Sequence, residues 1–338
     1  MRWLIGLGLI IAMLAFGISV YHFAGMLRAD RSLVHKPTEV SATPLSGTVY
    51  VVQAGAIYRF QHGNFTQVTK EESWMQPAVS PDGHQLVAVK RQTNLSDLYV
   101  LSTGGKVTAM LTRNAGSQYP ESNHWSFYPR YSADGTTLFY AYDPKSPYVA
   151  TYQVDLAIFA SPADPNTHGS VQWTEPNSYT GGDVDPLPLR AGGLIYTKYS
   201  IDDSFQVHSQ VWFQRTPGSP GQALTAPEAD CRQPALSRDE KLIAMVCTKG
   251  SNTSADLDVA AFDPAAMTVG SPATLVSNQL VSVPAFSPDG KTIAYLAPSS
   301  PGGQFQLWTV GSSGPASVRD ITTDLGLDSS SAPVWVGS

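Results

Sequence analysis

Pro77–Val89 reads PAVSPDGHQLVAV, and Pro284–Leu296 reads PAFSPDGKTIAYL. Each is a pair of short apolar runs around Ser-Pro-Asp-Gly, the composition of a tight hairpin. Proline presets φ near −65° for the turn, the aspartate bonds back to its own backbone, and glycine supplies the positive φ. One such hairpin would suit many folds; its recurrence does not. Related stretches open at Pro129 (PRYSADGTTLFYAY), Pro186 (PLPLRAGGLIYTKY) and Pro234 (PALSRDEKLIAMV), and the chain stops inside another at Pro333 (PVWVGS). Successive prolines stand 52, 57, 48, 50 and 49 positions apart. A fixed period of this size is the mark of an array architecture.

Each unit has a second half. After QLVAVKR come DLYVLS and VTAMLT, and after KTIAYLA come FQLWTV and SVRDITT. Four short apolar, β-branched runs bounded by turn residues predict four strands, and no stretch within a unit has helical periodicity. A four-stranded unit of about fifty residues is a propeller blade. Residues 48–69 hold three strands without the leading proline stretch, and the C-terminus holds the leading strand alone. Together they complete one blade. The expected fold is therefore all-β: a six-bladed β-propeller of four-stranded blades, in which a C-terminal strand joins the N-terminal three. Splitting a blade between the chain ends closes the ring and removes two open sheet edges. On this reading the proline begins each innermost strand, and Asp82, Asp134, Asp239 and Asp289 are turn formers.

The two cysteines fall within one unit. Folding the Pro234 hairpin about Asp239 and Glu240 pairs residues whose numbers sum to about 479, and Cys231 and Cys247 sum to 478. They are expected nearly opposite one another, within reach of a disulfide; two buried free thiols are the alternative. A bridge would favour an oxidising compartment.

The chain has 338 residues, of which only 14% are charged against roughly 25% in ordinary soluble domains, and its formal net charge is −6. No Lys/Arg cluster follows the N-terminus, so nucleic acid is not an expected partner. Trp3–Leu27 contains no Lys, Arg, Asp or Glu. As a helix it would span about 37 Å, enough to cross a bilayer. His22 fits badly at the −3 position of a cleavage site after Ala24, which favours a retained anchor over a cleaved signal peptide. The expected organisation is a transmembrane signal-anchor helix over residues 1–27, a linker over 28–46 and the propeller over 47–338, placed outside the cytoplasm.

The repeated P-x-x-S-x-D-G-x-x-I/L stretch, with blade endings at Leu111-Thr112 and Ile321-Thr322, resembles the TolB-like propeller family. The resemblance covers roughly residues 46–338; Pro77–Gly83 and Pro284–Gly290 match fully, Pro129–Gly135 has Ala for the second proline, and the Pro186 unit departs most. It implies a rigid extracytoplasmic scaffold that binds proteins or small ligands.

Sites have to be argued separately, because a propeller hosts many roles. The sequence contains no Gly-x-Ser-x-Gly, His-Glu-x-x-His, Gly-x4-Gly-Lys-Ser/Thr or Cys-x-x-Cys pattern. No catalytic residue, metal site or cofactor is expected from it. The candidate ligand-binding positions are those flanking the prolines at the mouth of the axis: Trp74, Gln76, His124, Trp125, Tyr128, Asp183, Asp185, Asp230, Arg232 and Gln233. Asp183 and Asp185 alone fall short of the six to eight oxygens of a Ca²⁺ site. The long, aromatic stretch Asp143–Trp173 has the character of an insertion that builds binding loops. The leading expectation is a membrane-anchored scaffold for an envelope protein or small ligand. The alternatives are an enzyme with a central-pocket site, of lactonase, cyclotransferase or polysaccharide-degrading type, and a structural spacer, which an occluded axis would favour.

Overall fold

The computed structural model describes residues 45–116, 120–145, 153–250, 253–314 and 318–337. The anchor and nearly all of the linker lie outside them. Among the described residues no helix is long and apolar enough to cross a membrane.

Six antiparallel sheets follow one another along the chain. Their innermost strands are Trp74–Val79, Ser126–Tyr131, Asp183–Pro188, Cys231–Leu236, Ser282–Phe286 and Val334–Val336. The last belongs to the split blade, numbered one here. Thr48 pairs with Val336, Val49 with Trp335 and Tyr50 with Val334, so the two chain ends close the ring as expected. Blade five departs from four strands. Its nine-residue strand Ala255–Asp263 is long enough to take two partners end to end, Thr268–Val269 and Ala273–Gln279.

The core is a set of layers between blades, and strict alternation along each second and first strand builds it. Val49 and Val51 pack on blade six, whereas Tyr50 and Val52 pack on blade two. Leu86 and Ala88 face blade one; Val87 and Val89 face blade three. Ile243 and Met245 face blade four, with Ala244 and Val246 against blade six. Strands buried on both faces read as continuous apolar runs rather than alternating ones. That is why so neutral a sequence folds into a ring of sheets.

The turns are built as their residues imply. Ser80 Oγ donates to Asp82 Oδ1 at 2.5 Å and accepts from Gln85 N at 3.0 Å, while Gly83 takes φ 75°. Ser132–Asp134, Ser237–Asp239 and Ser287–Asp289 repeat the contact at 2.6–2.7 Å. Where blade five lacks the glycine, Glu240 itself adopts φ 57°, and its carboxylate accepts the Arg190 backbone N–H at 2.9 Å.

The threonine ending has an equally local cause. Thr112 Oγ1 accepts the N–H of Leu98 at 2.9 Å, and Leu111 N donates to the Leu98 carbonyl at 2.8 Å. Thr69 on Ile57, Thr174 on Ile158, Thr225 on Val211 and Thr322 on Leu307 do the same at 2.9–3.0 Å. The outermost strands are short, and the hydroxyl satisfies the third strand's donor where the ladder stops.

One expectation about the proline is corrected. In five of the six blades it does not begin the innermost strand; only Pro333 stands immediately before one, Val334–Val336. Pro77, Pro129, Pro186, Pro234 and Pro284 lie inside these strands, at a register shift in every case. A bulged residue is unpaired, so the missing N–H removes no ladder bond. In blade five the shift sets the cysteine register. Ala235↔Ala244 and Leu236↔Ile243 sum to 479, whereas Arg232↔Val246 and Cys231↔Cys247 sum to 478. The cysteines are directly opposite, with Cα atoms 4.1 Å apart, and form a disulfide.

Candidate binding face and axial channel

The residue before each of these five bulge prolines takes a left-handed conformation: Gln76 (φ 48°), Tyr128 (54°), Asp185 (54°), Gln233 (53°) and Val283 (46°). Proline disfavours the right-handed helical region for its predecessor, and an L-residue at positive φ is costly. Five such positions around one axis are a built feature. Four of these five backbone donors are met by side chains of other blades. Gln76 N donates to Ser331 Oγ at 2.9 Å, and Tyr128 N to Gln76 Oε1 at 2.8 Å. Gln233 N donates to Thr197 Oγ1 at 3.0 Å, and Val283 N to Gln233 Oε1 at 2.9 Å. Ser331 Oγ in turn donates to Asp328, and Thr197 Oγ1 to Asp185 Oδ2 at 3.1 Å. Gln76 and Gln233 are thus cross-braces of the ring.

The other sequence candidates divide. Trp74 is 3% exposed and fills the layer between blades one and two, edge-on to Tyr99. It does not face the axis. Trp125 stacks on Phe127 at 5.7 Å, and His124 stacks on Tyr142 with its Nδ1 2.8 Å from the Asp143 carbonyl. Asp230 accepts from Ser209 N and Oγ at 2.6 and 2.7 Å and from Thr248 Oγ1; burial pushes its carboxyl up, and these bonds pull it below the usual range. Asp183 is fully buried and paired with Lys198 Nζ at 3.2 Å; burial still pushes it up to about 6. Asp185 also rises to about 6 by burial, against the pull of the Thr197 bond and the charges of Arg130 and Arg232. Burial raises the Tyr128 hydroxyl as well.

The axis itself is narrow. Gln76, Tyr128, Arg130, Asp185, Val283 and Ala332 line a cavity there of about 30 Å³. Larger depressions, of about 410 and 310 Å³, lie between neighbouring blades beside the Asp239 and Asp289 turns, at the opposite ends of the strands. Among the described residues no group of three His, Cys, Asp or Glu side chains could hold a metal ion.

The mouth face carries what the axis lacks. In blade four, Asp183, at the start of the innermost strand, pairs with Lys198, yet pairing continues to Ile201↔Val207. Three further residue pairs raise this hairpin about 10 Å above the strand start. At its tip Asp202 Oδ1 accepts from Ser204 N and Gln206 N, and Asp202 Oδ2 lies 2.9 Å from His208 Nε2. That frame holds Phe205 at φ 60° with 87% of its surface exposed. Beside it, Asn177 Nδ2 donates to the Tyr199 carbonyl at 2.8 Å, and Tyr179 is 71% exposed. Ile201 and Val207 are exposed too. Sequence reading missed this patch, Arg130 and Thr197. Arg130 had a signal: the repeat places Ala78, Ala235 and Ala285 at its position.

No protein-family model matches the chain, and neither does any curated protein. Solved structures do match. TolB from Acinetobacter baumannii is 17% identical, with a TM-score of 0.65 over 92% of this chain and 70% of that one. Hydrazine synthase from Kuenenia stuttgartiensis is 10% identical, with a TM-score of 0.62 over 89% of this chain and 48% of that one. A chain of the nidogen–laminin complex is 10% identical, with a TM-score of 0.59 over 85% of this chain and 97% of that one. The six-bladed propeller is structurally similar to TolB, as the repeat implied, and at these identities the likeness concerns the fold.

Proposed function

We propose that this propeller is the extracytoplasmic part of a membrane-anchored scaffold that binds a protein partner through its mouth face. The observation that carries the reading is the blade-four hairpin, which presents Phe205 at 87% exposure on a hydrogen-bonded turn. Rigidly held exposed aromatics are favoured anchors at interfaces, because little conformational freedom remains to be lost. The apolar run Trp3–Leu27 and the Cys231–Cys247 bridge support the anchored, oxidising setting. A small-ligand or central-pocket enzyme role draws little support from an axial cavity of about 30 Å³, when ligand pockets run to roughly 300–1,000 Å³. A chain of similar fold occurs in a nidogen–laminin complex.

The test is site-specific photo-crosslinking of the full chain in its own membranes. A crosslinker at position 205 should trap a discrete protein adduct, and one at Val107, on the other face, should not. Equal adducts at both positions, or none at 205, would refute the reading.

A further inference from the structure

The blade-four hairpin carries charge as well as apolar surface. Its turn reads Asp202-Asp203-Ser204-Phe205, and all four residues are exposed. The neighbouring loop presents Tyr179, and the Asp155 carboxylate fixes that loop by accepting the N–H groups of Tyr179, Thr180 and Gly181 at 2.8–2.9 Å. Glu175 and Glu228 are exposed on the loops that precede the innermost strands of blades four and five. The cations of this sector are spent. Lys198 pairs with Asp183 at 3.2 Å, Lys145 with Asp143 at 3.0 Å, and Lys249 with Asp256 and Asp258 at 2.7 and 3.0 Å. The charge of Arg232 acts on Asp185 and Asp230. Asp202 has His208 at 2.9 Å. Among the described residues, Asp203, Glu175 and Glu228 form no ion pair with a lysine or arginine. The exposed aromatics therefore stand inside a rim of uncompensated carboxylates.

We propose that the partner of this hairpin is a cationic protein surface: an apolar pocket that takes Phe205, edged by lysine or arginine. The proposal rests on the protein-binding reading above and gives that partner its chemistry. An apolar centre supplies the anchor, and a charged rim selects by complementarity and steers the encounter. Phe205 and Tyr179 have the first role; Asp203, Glu175 and Glu228 have the second. The same rim argues against a lipid surface, because anionic headgroups attract basic segments and repel acidic ones.

The test uses the full chain in its own membranes with a photo-crosslinker at position 205. It compares two double variants with the same change in net charge: Asp203→Asn/Glu175→Gln at the hairpin, and Asn64→Lys/Val107→Lys on the opposite face. The first should cut the protein adduct about fivefold or more, and the second should leave it within about twofold. Raising sodium chloride from about 50 to about 500 mM should lower the wild-type adduct comparably. The partner peptide joined to residue 205, read by mass spectrometry, should lie in a stretch of net positive charge. A protein adduct that ignores salt and the hairpin charges, falls equally in both double variants, or maps to a neutral or acidic stretch would overturn the cationic partner and leave the protein-binding reading standing. A lipid adduct at 205, or none, would overturn both.

Discussion

A single hydroxyl repeats around this ring with one job. Thr322 Oγ1 accepts the Leu307 N–H at 2.9 Å and donates to Gln306 Oε1 at 3.1 Å, and both Thr322 and Leu307 are buried. Thr322→Val keeps the shape but strands that donor, and should lower stability by about 1–3 kcal/mol. Thr322→Ser should lose less than half as much; urea midpoints measure both. Asp185 makes a pH prediction. Its carboxyl rises from the ordinary 3.8 to about 6, so folding favours the protonated form. The stability it contributes is complete below about pH 4 and lost as pH rises through about 6. Asparagine imitates the protonated form at every pH. The stability of Asp185→Asn relative to wild type should therefore improve by about 2–3 kcal/mol between pH 4 and pH 7; unfolding at four pH values checks it. At this scale the turn aspartates were legible, because Ser-x-Asp-Gly carries its own chemistry. Arg130 and Thr197 were not, because their neighbours come from other blades, and only Arg130's departure from the repeat's alanine pointed to it.

Among the elements, the blade-five hairpin shows how far register can be read from a repeat. Counting from the turn gave a sum of 479, which holds for Ala235↔Ala244, and the bulge at Gln233-Pro234 then moves the pairing to 478 and sets Cys231 opposite Cys247. The bridge closes a short loop, with a sequence separation of 16. The double variant Cys231→Ala/Cys247→Ala should lose about 3 kcal/mol by the chain-entropy relation, seen as a lower urea midpoint. Both cysteines are buried, so reductant should leave the bridge intact in the folded protein and break it only above the unfolding transition; mass-spectrometric alkylation reads the difference. Strand existence was legible from the apolar runs. The bulges were not, since x-Pro within a strand and Pro at a strand start look the same in sequence. The fifth strand of blade five escaped for a related reason: periodicity shows that Ala255–Asp263 is a strand but not that it takes two partners.

At the scale of the whole molecule, closure rests on three residue pairs between Thr48–Tyr50 and Val334–Val336, with Trp335 Nε1 donating to the Ser46 carbonyl at 2.7 Å. Deleting residues 333–338 would bare the Thr48–Gln53 edge and open the layer between blades one and six. The truncated chain should elute as higher oligomers in size-exclusion chromatography and lose its single cooperative transition. Six blades could be counted from proline spacing, because each blade is a local unit. The axial channel could not, because its lining converges from residues as distant as Gln76 and Ala332 only once the circle is shut. The latch has one more consequence. Since Thr48 and Val336 are partners across a ladder, a short peptide joining Gly337 to Ser46, with the residues before Ser46 removed, would leave every strand in place. The chain could then be cut afresh between blades, for example at Lys70-Glu71, and such a circular permutant would have the same ring with no blade shared between its termini.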